Sequence, residues 1–376
     1  MSVQLHGACD PAFARVAEAF AANFSERQEV GAAVCVYANG EKVVDLWGGM
    51  ADPATQRPWV EDTLVCMMSV GKGMAALCIH RLVERGQIDL TEPVARYWPG
   101  FAQAGKGAIT VGQVLGGKSG VLFADSAPPN SVMNWAAMVE AIERQPPAWP
   151  AGSRGAYQSM TMGFMLGELV RRVDGRLLNT FFQEEIAAPL GVDYVWGLDD
   201  AQDARVAPII GNAAHHTVQA FADPSTNLGR AWHMRPVGPQ FYNTDAFRRG
   251  VLPSSNGHGN ARSVARIYAA LAEGGRLGDF TLLSSEEIEI ARTLQWDEIC
   301  AMTERHYRYA LGFFLDTPGL VPMGGNPRAF GHPGAGGALG FADPERGLAF
   351  AYSPNFMCAG SGSGERCSAL VSALYS

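Results

Sequence analysis

Strand-like segments occupy both ends of this chain and helix-like segments its middle, and that distribution constrains the fold more than any other feature. Near the start, Phe13, Val16, Ala17, Phe20 and Phe24 recur at helical spacing, with Asp10 placed to cap the helix. Residues 31–37 read as a buried strand, Asn39-Gly40 as a type I′ hairpin turn, and residues 42–47 as the return strand. A short apolar run, 65–68, precedes a helical stripe of Met74, Leu77, Cys78 and Leu82 that ends near Arg85-Gly86. From about residue 90 to 265 helical patterns dominate, clearest over 132–144 and 160–173, with long Pro- and Gly-rich connections. Residues 214–260 show little periodicity, and loops that long in a compact chain are often functional walls. A helix is expected over 263–273, strands over 309–314, 329–330, 338–341 and 348–352, and a closing helix over 367–375. One antiparallel sheet built from both termini, flanked by helices, with a helical lobe inserted in the middle, satisfies this order. The expected class is α+β, with residues 1–90 and 265–376 forming the sheet domain and 91–264 a mostly helical one.

Composition narrows the function. The 376 residues are 47% hydrophobic and 18% charged, which excludes a disordered chain. A net charge of -8 makes a poor partner for nucleic acid or an anionic membrane. No apolar run reaches membrane-spanning length, and the first residues lack a basic stretch followed by an apolar one. The seven cysteines are odd in number, dispersed and free of any CxxC, unlike a disulfide framework. A cytoplasmic location is the expectation. Only four lysines occur, Lys42, Lys72, Lys106 and Lys118, so each merits a separate reading. Lys42 and Lys106 fit surface turns.

Two motifs are set aside. Gly112-Gln-Val-Leu-Gly-Gly117-Lys118-Ser119 matches the phosphate-loop pattern, but the next residues run through Pro128-Pro129 rather than opening a helix. A glycine-rich turn after a helix is the better reading. The eight histidines form no HxxxH pair, and the adjacent His215-His216 fit a loop better than a metal site. GxSxG, the mark of an α/β-hydrolase nucleophile, is absent.

Ser69-Val-Gly-Lys72 stands at the start of an amphipathic helix, where positions i and i+3 share a face. A serine hydroxyl needs a base to become a nucleophile. Lysine serves as that base only when its pKa is lowered, and the apolar flanks could supply the desolvation. The plain alternative is a serine N-cap followed by a solvated lysine. Two more segments favour chemistry. Tyr157-Gln-Ser159 puts a tyrosine just before a helix, where it can relay a proton; core packing is its alternative. Gly331-His332-Pro333-Gly334-Ala335-Gly336-Gly337 would let a ligand approach the backbone closely, or be merely a bulged edge strand.

In this order and spacing, the three segments resemble the motifs of the serine β-lactamase and penicillin-recognising superfamily, and most of all its class C-like, family VIII carboxylesterase branch. Asp45-Leu-Trp-Gly-Gly49, Arg96-Tyr-Trp-Pro99 and Asn256-Gly-His-Gly-Asn260 extend the likeness over nearly the whole chain. The resemblance implies a β-lactamase-like fold with the active site between its two domains. It implies that Ser69 attacks a carbonyl while Lys72 and Tyr157 move protons. The N–H groups of Ser69 and Ala335 would form the oxyanion hole beside His332 and Gly334. No cofactor or metal is implied, and the partner is a small ester.

Departures from the family pattern shift the expected substrate. His332 stands where the family often has lysine, and Pro333, with neither hydroxyl nor N–H, where it has threonine. Those groups help hold a β-lactam carboxylate, so their loss points to neutral esters. Gly116-Gly117 also departs from the Thr-His or Ser-His of relatives. Acyl transfer, amide cleavage (D-aminopeptidase, amidase, weak β-lactamase) and a non-catalytic binding role remain open alternatives. Phe123, Trp135, Ser159, His258, Phe356 and Met357 are candidates for the pocket wall, and 221–247 for a water-excluding loop.

Overall fold

A computed structural model describes residues 3–236, 241–360 and 362–376. Its main sheet runs Leu5–Cys9, Glu41–Asp52, Gly31–Ala38, Leu348–Pro354, Leu339–Asp343, Phe330–Pro333, Phe314–Leu315, His306–Tyr309 and Trp296–Ile299, with Arg57–Pro58 pairing beside the second of these. Every pairing in it is antiparallel. The two ends of the chain meet where Gly31–Ala38 pairs with Leu348–Pro354. The first hairpin turns through Asn39 and Gly40, whose φ angles of 49° and 78° are the positive pair that a type I′ turn requires. The strand expected over 309–314 is instead two strands. Gly312, at φ 91°, turns the chain between them, and its N–H donates to Leu115 O at 3.0 Å.

Helices cover both faces. Cross-strand partners share a face and successive residues alternate, so Gly340 and its partner Ala351 lie opposite Leu339 and Tyr352. On the Gly340 face lies the helix Ala261–Ala272, packed so closely that a Cβ at Gly340 would sit 2.4 Å from Val264. On the other face the helices Ala14–Glu26 and Gly364–Leu374 pack together. There the Tyr352 hydroxyl bonds Glu29, which is ion-paired with Arg366 at 2.6 Å.

The middle of the chain holds the helices Trp135–Arg144 and Thr161–Val173. It also contributes to a second small sheet, in the order Tyr194–Val195, His258–Gly259, Leu64–Cys66, Val206–Ala207. That sheet anchors the strand leading into Ser69. Among its described residues the stretch 214–260, expected to be irregular, contains three short α-helices, His216–Ala222, Asn227–Ala231 and Asp245–Arg249, two of them capped by a threonine, and one 3-10 turn, Phe241–Asn243. Residues 237–240, within the proposed water-excluding loop, lie outside the described residues. The phosphate-loop lookalike is a short helix, Val111–Leu115, followed by a turn through Gly117 at φ 67°.

Lys106 corrects the sequence reading. It is fully buried, and its ammonium donates to the carbonyls of Gln103, Glu143 and Gln145 at 2.8, 2.7 and 2.7 Å. Three donors meet three acceptors, closing the C-terminal end of the helix Trp135–Arg144 onto its neighbouring turn. Burial pushes its pKa down to about 8, so the charge is retained at neutral pH. Lys106→Met, which leaves the three carbonyls unpaired, is expected to lower unfolding free energy by about 2–3 kcal/mol in urea titrations at pH 7.

Candidate active site

The chain enters the site by a strained turn. After the strand Leu64–Cys66, Met67 N–H donates to Gly257 O, and Met68 adopts φ 49°, rare for a residue with a side chain. Ser69 follows at the N-cap of the helix Val70–Glu84, but its side chain makes no capping hydrogen bond. The plain N-cap reading therefore fails. Instead Lys72 Nζ lies 3.0 Å from Ser69 Oγ and donates to Ser254 O at 2.8 Å. The helix is seated tightly: a Cβ at Gly71 would lie 2.8 Å from Pro253 O, and one at Gly73 2.8 Å from the Tyr268 hydroxyl.

Lys72 is buried, and desolvation alone drives its pKa well below the ordinary lysine value. Among the described residues it has no ion pair. A neutral amine donates two hydrogens and accepts through one lone pair, so it can donate to Ser254 O while accepting the Ser69 proton.

Tyr157 completes the group. Its backbone N–H donates to Cys300 Sγ at 3.2 Å, its ring lies 4.9 Å from Lys72 Nζ, and its hydroxyl lies toward Ser69. Burial raises its pKa above the usual phenol value, so it meets Ser69 as a neutral hydroxyl that can donate and accept.

The third motif closes against the first. A Cβ at Gly334 would lie 2.3 Å from Met67 O, so the two turns touch. Among the described residues, neither the Ser69 nor the Ala335 N–H has an acceptor, and both residues face the cleft. His332 is buried with its ring 6.1 Å from that of Tyr157. Its Nδ1 lies 2.7 Å from Pro333 O, which can only accept, so the hydrogen sits on Nδ1 and Nε2 is bare. Burial, then the nearby Lys72, hold its pKa well below the ordinary histidine value.

An open cleft of about 810 Å³, solvent space at its mouth included, leads to Ser69. Ser159 lines it as expected, its Oγ accepting from Trp232 Nε1 at 2.8 Å. The other wall candidates do not. Phe123 lies beneath the Arg230 guanidinium in a separate groove. Trp135 packs on Phe164 and donates to Glu168. His258 is buried in its strand with Nδ1 2.8 Å from Asn256 O. Phe356 stacks on Arg366, and Met357 packs beneath Gly336. Each lies near a motif or in a long connection in sequence, but none of them is among the residues that line the cleft. The walls include Phe221, Trp232 and Tyr242, together with Tyr307, Phe314 and Val321. The first three sit in the aperiodic stretch already suspected of forming a wall; no pattern marked the last three. Among the described residues, no Asp, Glu, Lys or Arg lines the cleft. No cluster of metal-ligating side chains occurs among the described residues, and none of their helices is long and apolar enough to cross a membrane.

Comparison with known proteins agrees with this geometry. The chain is 35% identical over 364 residues to the esterase/β-lactamase LipL of Mycobacterium tuberculosis, spanning 94% of this chain and 83% of that protein. The fold superposes on a family VIII carboxylesterase with a TM-score of 0.91 and 35% identity, over 99% of both chains. A penicillin-binding protein homologue from Caulobacter crescentus gives a TM-score of 0.89 at 35% identity, again over 99% of both. The Beta-lactamase family pattern matches residues 13–362. With an antiparallel sheet between helices, and a serine and a desolvated lysine one helical turn apart, the chain belongs to the β-lactamase family.

Proposed function

We propose that this protein is a serine carboxylesterase that cleaves small, uncharged esters through an acyl-enzyme on Ser69. One observation carries the reading: Lys72, buried and without an ion pair among the described residues, lies 3.0 Å from the Ser69 hydroxyl. Ser69 Oγ attacks the ester carbonyl as its proton passes to Lys72, and the carbonyl oxygen becomes an oxyanion facing the N–H groups of Ser69 and Ala335. Collapse breaks the bond to the alcohol, which leaves with a proton delivered through Tyr157. Water then attacks the acyl-enzyme, giving its proton to the same pair; collapse breaks the bond between the acyl carbon and Ser69 Oγ, the pair returns the proton to Oγ, and the acid is released. An alcohol in place of that water would make the reaction an acyl transfer.

The neutral cleft supports esters over β-lactams. A penicillin or cephalosporin presents a carboxylate, and among the described residues no Asp, Glu, Lys or Arg lines the cleft to receive it. His332 is held uncharged, and Pro333 offers no hydroxyl. The likeness to a family VIII carboxylesterase points the same way, while the name of LipL spans both activities. The likeness to a penicillin-binding protein homologue favours a second reading, amide cleavage, which the same test addresses. A fluorophosphonate should label Ser69, located by peptide mass, and a short p-nitrophenyl ester should turn over with a higher kcat/KM than a chromogenic cephalosporin. Absence of label at Ser69 would refute the nucleophile; faster cephalosporin turnover would refute the ester preference.

A further inference from the structure

His215 is a fully buried imidazole outside the three motifs. It caps the short helix His216–Ala222, whose first turn, with His216 and Thr217, lines the cleft. Its backbone is held on both sides: His215 N–H donates to Asn212 O at 2.9 Å, and His216 N–H to Gly360 O at 2.9 Å. Its ring faces two backbone donors. Thr217 N lies 3.2 Å from Nδ1, and Gly336 N lies 3.2 Å from Nε2.

A neutral imidazole has one bare nitrogen, so it accepts from only one of these N–H groups at a time. Protonation would abolish both bonds, but burial and the neighbouring His216 push the pKa down to about 3, which keeps the ring neutral across the working range. The choice between the two donors follows from access to water. Both donors are buried, but Thr217 is among the residues that line the cleft. Gly336 is buried and is not among the cleft-lining residues, and no other acceptor for its N–H occurs among the described residues. Leaving that donor unpaired is the costlier outcome.

Gly336 directly follows Ala335, whose N–H points free beside that of Ser69. The peptide on the other side of Ala335 is held through its carbonyl, because Gly334 O accepts from Gly337 N–H at 3.2 Å. On the far side, Gly336 O accepts from Cys358 N–H at 2.9 Å, and Gly336 itself sits at φ 92°, a conformation that does not hold itself in place without such contacts. We propose that His215 is a positioning residue for the reaction, its bare Nε2 accepting the Gly336 N–H and so fixing the direction of the Ala335 N–H toward the developing oxyanion. This inference rests on the acyl-enzyme reading above. Small displacements of a group aimed at the transition state cost rate more than binding, with about 10²-fold lost for a misplacement near 1 Å.

Two substitutions separate this role from plain helix capping. The asparagine side-chain oxygen is the same number of bonds from Cα as histidine Nδ1, and the glutamine oxygen the same number as Nε2. His215→Asn therefore keeps an acceptor for Thr217 and removes the one for Gly336, whereas His215→Gln does the reverse. On a p-nitrophenyl ester, His215→Gln is expected to retain a kcat at least about tenfold above that of His215→Asn, with KM of both within about threefold of wild type. Equal kcat values, or a faster His215→Asn, would overturn the proposal. Independently, nitrogen NMR of the wild-type enzyme should find the His215 hydrogen on Nδ1, and a hydrogen on Nε2 would equally overturn it. Failure of the underlying hydrolase reading looks different: wild type itself would then show no activity dependent on Ser69.

Discussion

Ser69→Ala is expected to lower kcat on a p-nitrophenyl ester by roughly 10⁴-fold or more, the scale of removing a nucleophile from an acyl-transfer site. The fold should persist. The Ser69 side chain makes no helix-capping bond, so its hydroxyl contributes to the reaction without holding the helix Val70–Glu84 in place. What remains in the variant is Lys72, still desolvated and no longer facing a hydroxyl. Substrate should still bind the aromatic cleft with little change in affinity, measured by competition against a fluorescent ligand of the wild-type protein. Esterase activity unchanged in Ser69→Ala would remove Ser69 from the mechanism. Loss of cooperative unfolding would instead show that the residue is structural.

Lys72→Met should separate activity from stability in opposite directions. Activity is expected to fall by about 10²–10⁴-fold, because the serine loses the base that takes its proton. Stability is expected to rise. The folded-state pKa of Lys72 is depressed by burial, whereas in the unfolded chain it has the ordinary lysine value. At pH values above both, the amine is neutral in both states and contributes nothing. As pH falls below the ordinary lysine value, the unfolded chain takes up a proton that the folded chain refuses, and stability declines until the folded-state pKa is reached. At neutral pH the buried lysine therefore costs stability, which a methionine of similar length does not. The measurable outcomes are a higher Tm for Lys72→Met at pH 7 and convergence with wild type toward pH 11. In the wild type, kcat/KM should fall on the acidic side as Lys72 gains its proton. A Lys72→Met variant of lower Tm at pH 7 would show that the ammonium is charged and paired in the folded state.

The legible parts of the fold were those in which neighbours in sequence do the work. Asn39-Gly40 specifies a type I′ turn by itself, because both residues tolerate positive φ. The stripe Met74, Leu77, Cys78 and Leu82 specifies a helix, but not its burial, because every residue from 70 to 80 is buried and not that stripe alone. The strand expected over 309–314 failed for the converse reason. Its residues are apolar throughout, and only Gly312, packed against Ala76 and bonded to Leu115, turns the chain in the middle. The cleft walls were harder still. Trp135 and Phe123 have the composition of a ligand wall, yet Trp135 finds its partner in Glu168 and Phe123 lies beneath Arg230. Tyr307, Phe314 and Val321 lie on strands and turns whose patterns give no sign that they face Ser69.

Of the four lysines, the sequence by itself determined that Lys72 stands on the same helical face as Ser69, and that His332-Pro333 replaces the groups that would hold a carboxylate. Those are matters of spacing and residue type. Only the tertiary structure decided that burial drives the Lys72 pKa well below the ordinary lysine value while Lys106 keeps its charge at neutral pH, though both are buried. Lys106 finds three carbonyls from two segments of chain, whereas Lys72 finds one carbonyl and a serine. The ionisation of a buried amine depends on how many acceptors the folded chain brings to it, and those acceptors lie up to 182 residues away in sequence.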